Sequence, residues 1–170
     1  MNATHFHLLL NHFPVIGTLL GSGLLMWGIV KKQDNIRSVA AVVLALMAVI
    51  AIPVYLTGEP AEDSVEKIAG VSESMIELHE DAAAIAMWLM GATGLAALAA
   101  LFFSWQKSRL VNRVYSVAFV LSLICFAAMA RTGYYGGQIR HTELRSGNTA
   151  GNQNEATTQK AGESKEKDDD

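Results

Sequence analysis

The residues of this chain with the most chemistry to offer are its five histidines, His5, His7, His12, His79 and His141. Neutral imidazole is a ligand for iron, copper and zinc, and one ring nitrogen can bind while the other is held by a hydrogen bond. The spacing sorts them. His5 and His12 are seven residues apart and share a helical face, whereas His7 points about 140° away from His12 on a regular helix. His79 opens a long apolar stretch and His141 follows another. Three separate segments therefore bring imidazole to one level of the molecule.

Two imidazoles on different helices are all that a b-type haem needs, since it requires no covalent attachment. The preferred axial pair is His12 with His79, because both lie on membrane helices at similar depth. His7 and His141 could then make a second pair, giving one haem b or two. Arg131 and Arg140, beyond the end of the last apolar run, are placed to pair with haem propionates. The same imidazoles support two other readings. With Glu59 or Glu143, the set His12, His79 and His141 could hold copper or zinc, with His7 as a further donor. Alternatively the histidines are plain interfacial polar groups of a structural subunit.

These residues are carried by an all-α, four-helix transmembrane bundle. Hydrophobic residues make up 51% of the chain and charged residues 17%. They concentrate in four runs, each long enough to cross about 30 Å of hydrocarbon at about 1.5 Å per residue. The expected helices cover about 6–30, 38–57, 75–106 and 112–134, within a domain spanning 1–145. The first run has no basic residue before it and Lys31 and Lys32 after it, the reverse of a cleavable signal, so it is expected to remain as a helix. The short loops with Lys31, Lys32 and Arg37, and with Lys107, Arg109 and Arg113, predict a cytoplasmic side. The acidic connection between the second and third runs and both termini then face out. Arg131, Arg140 and Arg145 run against that rule.

Further features refine the reading. Pro14 falls early in the first helix, where a missing N–H is tolerated. Gly17 and Gly21 match the small-xxx-small packing pattern. In the third run His79, Ala83, Ala86, Met90, Gly94 and Ala97 form a small-residue stripe expected to face the bundle interior. The third helix could extend outward from about Ser72, and part of 61–80 could form a short interfacial helix. Gly136 and Gly137 are expected to break or bend the fourth helix. The lone Cys125 permits no internal disulfide, and no C-x-x-C-H string is present for covalent haem. The polar tail, 146–170, reads as disordered.

The strings His7-Leu-Leu-Leu-Asn-His12-Phe-Pro, Pro53-Val-Tyr-Leu-Thr-Gly-Glu-Pro-Ala-Glu62, His79-Glu and Gly136-Gly-Gln-Ile-Arg-His141-Thr-Glu143 resemble those of a family of small bacterial four-helix membrane proteins of unknown function. The resemblance implies the four-helix architecture and a bacterial membrane, and no particular activity.

The combined expectation is a multi-pass protein of the bacterial cytoplasmic membrane, termini periplasmic, carrying haem b near the outer face as an electron-transfer subunit. No acid–base or nucleophile arrangement points to an enzyme acting on its own. The expected partners are the lipid bilayer, other subunits of a respiratory or photosynthetic complex, and a periplasmic electron carrier or quinol. Nothing suggests nucleic acid.

Overall fold

A computed structural model describes residues 3–64 and 70–140 of the 170. The described residues form six helices and no strand: α1 (Ala3–Leu10), α2 (His12–Val30), α3 (Asp34–Leu56), α4 (Gly58–Asp63), α5 (Glu73–Trp105) and α6 (Val111–Arg140). Four spans are long and apolar enough to cross a bilayer, Thr4–Val30, Asp34–Leu56, Glu73–Trp105 and Val111–Ile139. They pack in a closed ring, α2 against α3, α3 against α5, α5 against α6, and α6 against α2. Successive spans run antiparallel. One end of the bundle holds the start of α1, α4, the start of α5 and the end of α6. It is called the histidine end below. The other end holds the tight α2–α3 and α5–α6 connections with Lys31, Lys32, Lys107 and Arg109, and is called the basic end.

Without water as a competitor, helices in lipid associate by close packing rather than by apolar burial. The glycines show where this happens. A Cβ on Gly21 would stand 2.8 Å from Leu44, and one on Gly94 would stand 2.5 Å from the Ala48 methyl. The α5 stripe faces inward as expected, with Ala86, Met90, Gly94 and Ala97 all buried. Large apolar side chains such as Leu20, Trp88 and Leu95 point out of the bundle, where lipid is their solvent.

The interior is layered. Near the basic end Leu25, Ala40, Ala41, Leu44, Ala97, Ala100, Tyr115 and Ala118 form one apolar cluster. Toward the histidine end Met47, Ala51, Ala86, Met90, Cys125 and Met129 form another. The basic end is closed by Arg37, which is 7% exposed. Its guanidinium donates to the carbonyls of Gly28 (3.0 Å) and Ile29 (3.2 Å), to Asp34 (3.0 Å) and to Asn112 (2.9 Å). Those two carbonyls belong to the last turn of α2, which has no intrahelical donors for them, and a cation there also suits the helix dipole. Gly28 admits the Arg37 backbone and side chain at 2.9 Å from where its Cβ would be.

Two local expectations meet a different outcome. The first span is not one continuous helix, and Pro14 falls in the first turn of its second part, α2, where its missing N–H is tolerated as expected. The helix is interrupted at Asn11, within the turn whose carbonyl at Leu10 Pro14 has no N–H to serve. Gly136 and Gly137 do not end the last helix, which continues to Arg140. A neighbouring side chain stabilises that extension, as described below. The third apolar run does extend to the Ser72 boundary, and the acidic connection contains the short helix α4. The expected tail at 146–170 lies outside the described residues.

Candidate functional site

α1 brings His7 to the carboxyl-terminal turn of α3. Its Nδ1 lies 3.0 Å from the Val54 carbonyl oxygen and 3.4 Å from the Thr57 hydroxyl. The carbonyls of that last turn lack helical donors, so an imidazole N–H there caps α3. α5 brings His79 to α6, with Nδ1 2.9 Å from the Thr132 carbonyl oxygen. This carbonyl is four residues before Gly136 in the same helix. A Cβ on Gly136 would stand 3.1 Å from both Cε1 and Nδ1 of His79. The missing side chain lets the ring lie on the α6 backbone and reach a carbonyl already inside the helical ladder. A carbonyl has two lone pairs and takes both donors.

The two contacts fix the tautomer. A carbonyl oxygen can only accept, so Nδ1 carries the proton in His7 and in His79. In the neutral imidazole the lone pair is then on Nε2 in both. Metal-binding histidines are oriented in this way, with one nitrogen donating to a carbonyl and the other left for the metal. Both rings are half-buried, and they are close enough to interact electrostatically. Glycines back both: Gly136 behind His79, and Gly58, whose Cβ would be 3.8 Å from Cε1 of His7.

Asn11 adds a third polar group. Its N–H donates to the His7 carbonyl at 2.9 Å, which sets it one helical turn from His7 on the same face. The side-chain oxygen of Asn11 is buried and finds no partner among the described residues. An orphaned acceptor one turn from the oriented His7 imidazole is a buried group that a polar ligand could satisfy.

The other candidate residues are placed differently. His12 lies on the outer surface of the bundle, exposed, with Nδ1 3.2 Å from the Leu8 carbonyl of its own helix. It borders an apolar groove with Phe13, Ile16, Leu20 and Met47. His7, rather than His12, is the imidazole of the first span that lies within electrostatic range of His79. Arg131 is exposed and turned to Tyr135, its Nε and Nη2 both 3.3 Å from the hydroxyl and its guanidinium 5.4 Å from the ring centre. Arg140 closes α6, and its side chain lies outside the described residues, as does His141. His5 is exposed. Among the described residues no group of three or more His, Cys, Asp or Glu side chains converges on one point.

Sequence spacing alone gives Asn11 no role and favours His12 over His7 on depth. The available signal was the face they share: positions 7, 11, 14, 18, 22 and 25 recur at helical spacing, and Pro14, Thr18, Ser22 and Leu25 are all buried.

The chain matches no family model, no curated protein and no solved structure.

Proposed function

We propose that this protein is a b-type cytochrome of the membrane, with haem b held between His7 and His79, acting as an electron-transfer subunit. The observation that carries the reading is the matched pair of imidazoles. They come from different spans, and each has Nδ1–H committed to a backbone carbonyl and Nε2 left as a donor. A low-spin b-type haem would be held by two imidazole nitrogens, whereas zinc and most copper sites ask for three or four converging side chains. His7 and His79 fit the first requirement.

In this reading the chain's own residues do the following. Val54 and Thr57 hold the His7 ring in one orientation, and Thr132 holds His79. Gly58 and Gly136 leave a bare backbone against which flat groups can lie. Asn11 offers a buried acceptor at the edge of the site. The bound haem would supply a one-electron couple, and its potential would follow from the two imidazoles and the partly buried setting.

The excess of Lys and Arg at the basic end and the acidic residues at the other favour a basic end facing the cytoplasm, which puts the histidines on the periplasmic side of a bacterial inner membrane. Arg37 counts less in that tally, because its charge is spent inside the bundle. Glu59, Glu62, Glu73, Glu77 and Glu80 at the histidine end suit a basic soluble electron carrier as partner. The test is a pyridine haemochrome assay with metal analysis on detergent-purified protein expressed with ample haem. Haem b at one per chain is expected. Colourless protein carrying stoichiometric copper or zinc would replace the cytochrome with a metal-handling protein.

A further inference from the structure

Half-way through the bundle a second polar cluster lies apart from the histidines. Ser22 of α2 meets Ser122 of α6, with their hydroxyl oxygens 2.8 Å apart. Ser22 Oγ is also 2.7 Å from the Thr18 carbonyl, and Ser122 Oγ 2.7 Å from the Phe119 carbonyl. These three short contacts share only two hydroxyl protons, because a carbonyl brings none. One turn closer to the histidine end, antiparallel packing sets Thr18 level with Cys125, whose thiol reaches the Ala86 carbonyl of α5 at 4.0 Å and is close enough to Thr93 for the two to interact. Thr93 donates its own proton to the Leu89 carbonyl at 2.8 Å. Thr18, Thr93, Ser122 and Cys125 are 0% exposed and Ser22 is 3% exposed.

Thr18 is the odd member. Its hydroxyl is buried and finds no hydrogen-bond partner among the described residues. In hydrocarbon that is more costly than in a soluble protein, since no solvent lies near. The cluster therefore holds an unused donor at Thr18 beside a serine pair that is one proton short. A water molecule accepts the Thr18 proton and donates its own to free lone pairs of Ser122, Ser22 or Thr93; the third serine contact is met when one serine hydroxyl turns from its carbonyl to the other serine. Two to four such partners are what a buried water requires.

We propose that a water molecule binds between α2, α5 and α6 at this level, with Thr18 as its principal donor. The Leu25–Leu44–Ala118 cluster closes the site toward the basic end, and the Met47–Met90–Met129 cluster closes it toward the histidines. The site is thus a sealed polar node that sets the register of α2 against α6, and not part of a path across the membrane. It does not depend on the cytochrome reading.

The test is water-edited solid-state NMR on the full-length, haem-free protein in phosphatidylethanolamine–phosphatidylglycerol vesicles. Magnetisation from water protons is expected to reach the side chains of Thr18 and Thr93 but not those of Leu25 and Leu44. Thr18→Val should abolish the transfer at Thr93, and Thr18→Ser, which keeps the hydroxyl, should retain it. A Thr18 signal as dark as Leu44 in the wild type would overturn the proposal. So would transfer at Thr93 that survives Thr18→Val unchanged. If the valine variant does not fold, the wild-type contrast between Thr18 and Leu44 decides alone.

Discussion

Gly136 and His79 are fitted to each other: the imidazole of one occupies the space a side chain on the other would need, at 3.1 Å from the position of a Cβ. This contact joins the end of α6 to the start of α5, and it accounts for Gly136 inside a helix that glycine would otherwise weaken.

Gly136→Ala should therefore separate stability from site geometry. Alanine is favoured over glycine inside a helix by about 1 kcal/mol, so α6 gains locally. The added methyl displaces the His79 ring by a few tenths of an ångström and weakens its hydrogen bond to the Thr132 carbonyl. The expected outcome is a melting temperature unchanged or slightly raised, together with weaker haem retention. Thermal unfolding and haem titration of the same preparation check it. Gly137→Ala is the control, since nothing lies within 4 Å of a Cβ there.

Arg37→Ala should destabilise the bundle without changing the histidine end. It removes the donor to the Asn112 side-chain oxygen and the second donor to the Gly28 and Ile29 carbonyls, which keep the N–H groups of Gln33 and Lys32. Hydrogen bonds to a charged group are worth about 1.5–3 kcal/mol. Arg37→Lys recovers little, because one ammonium cannot span acceptors on three helices as the planar fork does. Denaturation in mixed micelles measures both variants, and His7 and His79 chemical shifts should stay in place.

Pro14→Ala should re-aim the first span. The interruption at Asn11 sits in the turn that Pro14 cannot complete. An N–H at position 14 can donate to the Leu10 carbonyl and close the gap. His7 would then rotate relative to α2 and leave the Val54 carbonyl. Helical content should hold or rise while haem affinity falls by at least tenfold. Circular dichroism and haem titration report the two effects separately.

Gly21→Leu should push α2 from α3, because the bulk arrives where Leu44 already stands 2.8 Å from a Cβ. Loss of the folded bundle in detergent is the expected result. Gly23→Leu, at a position with open space around it, should be tolerated, and size-exclusion profiles distinguish the two.

Much of this was readable from composition and period. The four spans announce themselves because apolar runs of that length have no soluble alternative, and the α5 stripe from Ala83 to Ala97 announces its face because small residues must meet other backbones. Which imidazole faces inward was less readable. His7 and His12 lie on different helical faces, and counting depth favours His12, but rotation of the span is set by Gly17 and Gly21 docking on Met47 and Leu44, a contact between segments. The Gly136–Gly137 pair misled for a similar reason. Taken locally it breaks a helix, and only the His79 ring lying against it explains its persistence. Arg37 looked like one more loop charge marking orientation, because nothing in its immediate neighbourhood shows that four acceptors converge on it.

The central claim is that His7 and His79, from different spans, are the two axial ligands of a haem. The most direct measurement is the reduced-minus-oxidised visible spectrum of purified wild type, His7→Ala, His79→Ala and His12→Ala, each expressed with ample haem. A sharp low-spin b-type spectrum in the wild type and in His12→Ala, lost in both other variants, is the predicted result. A wild type without a haem spectrum, or a spectrum abolished by His12→Ala and kept in His7→Ala, would contradict it.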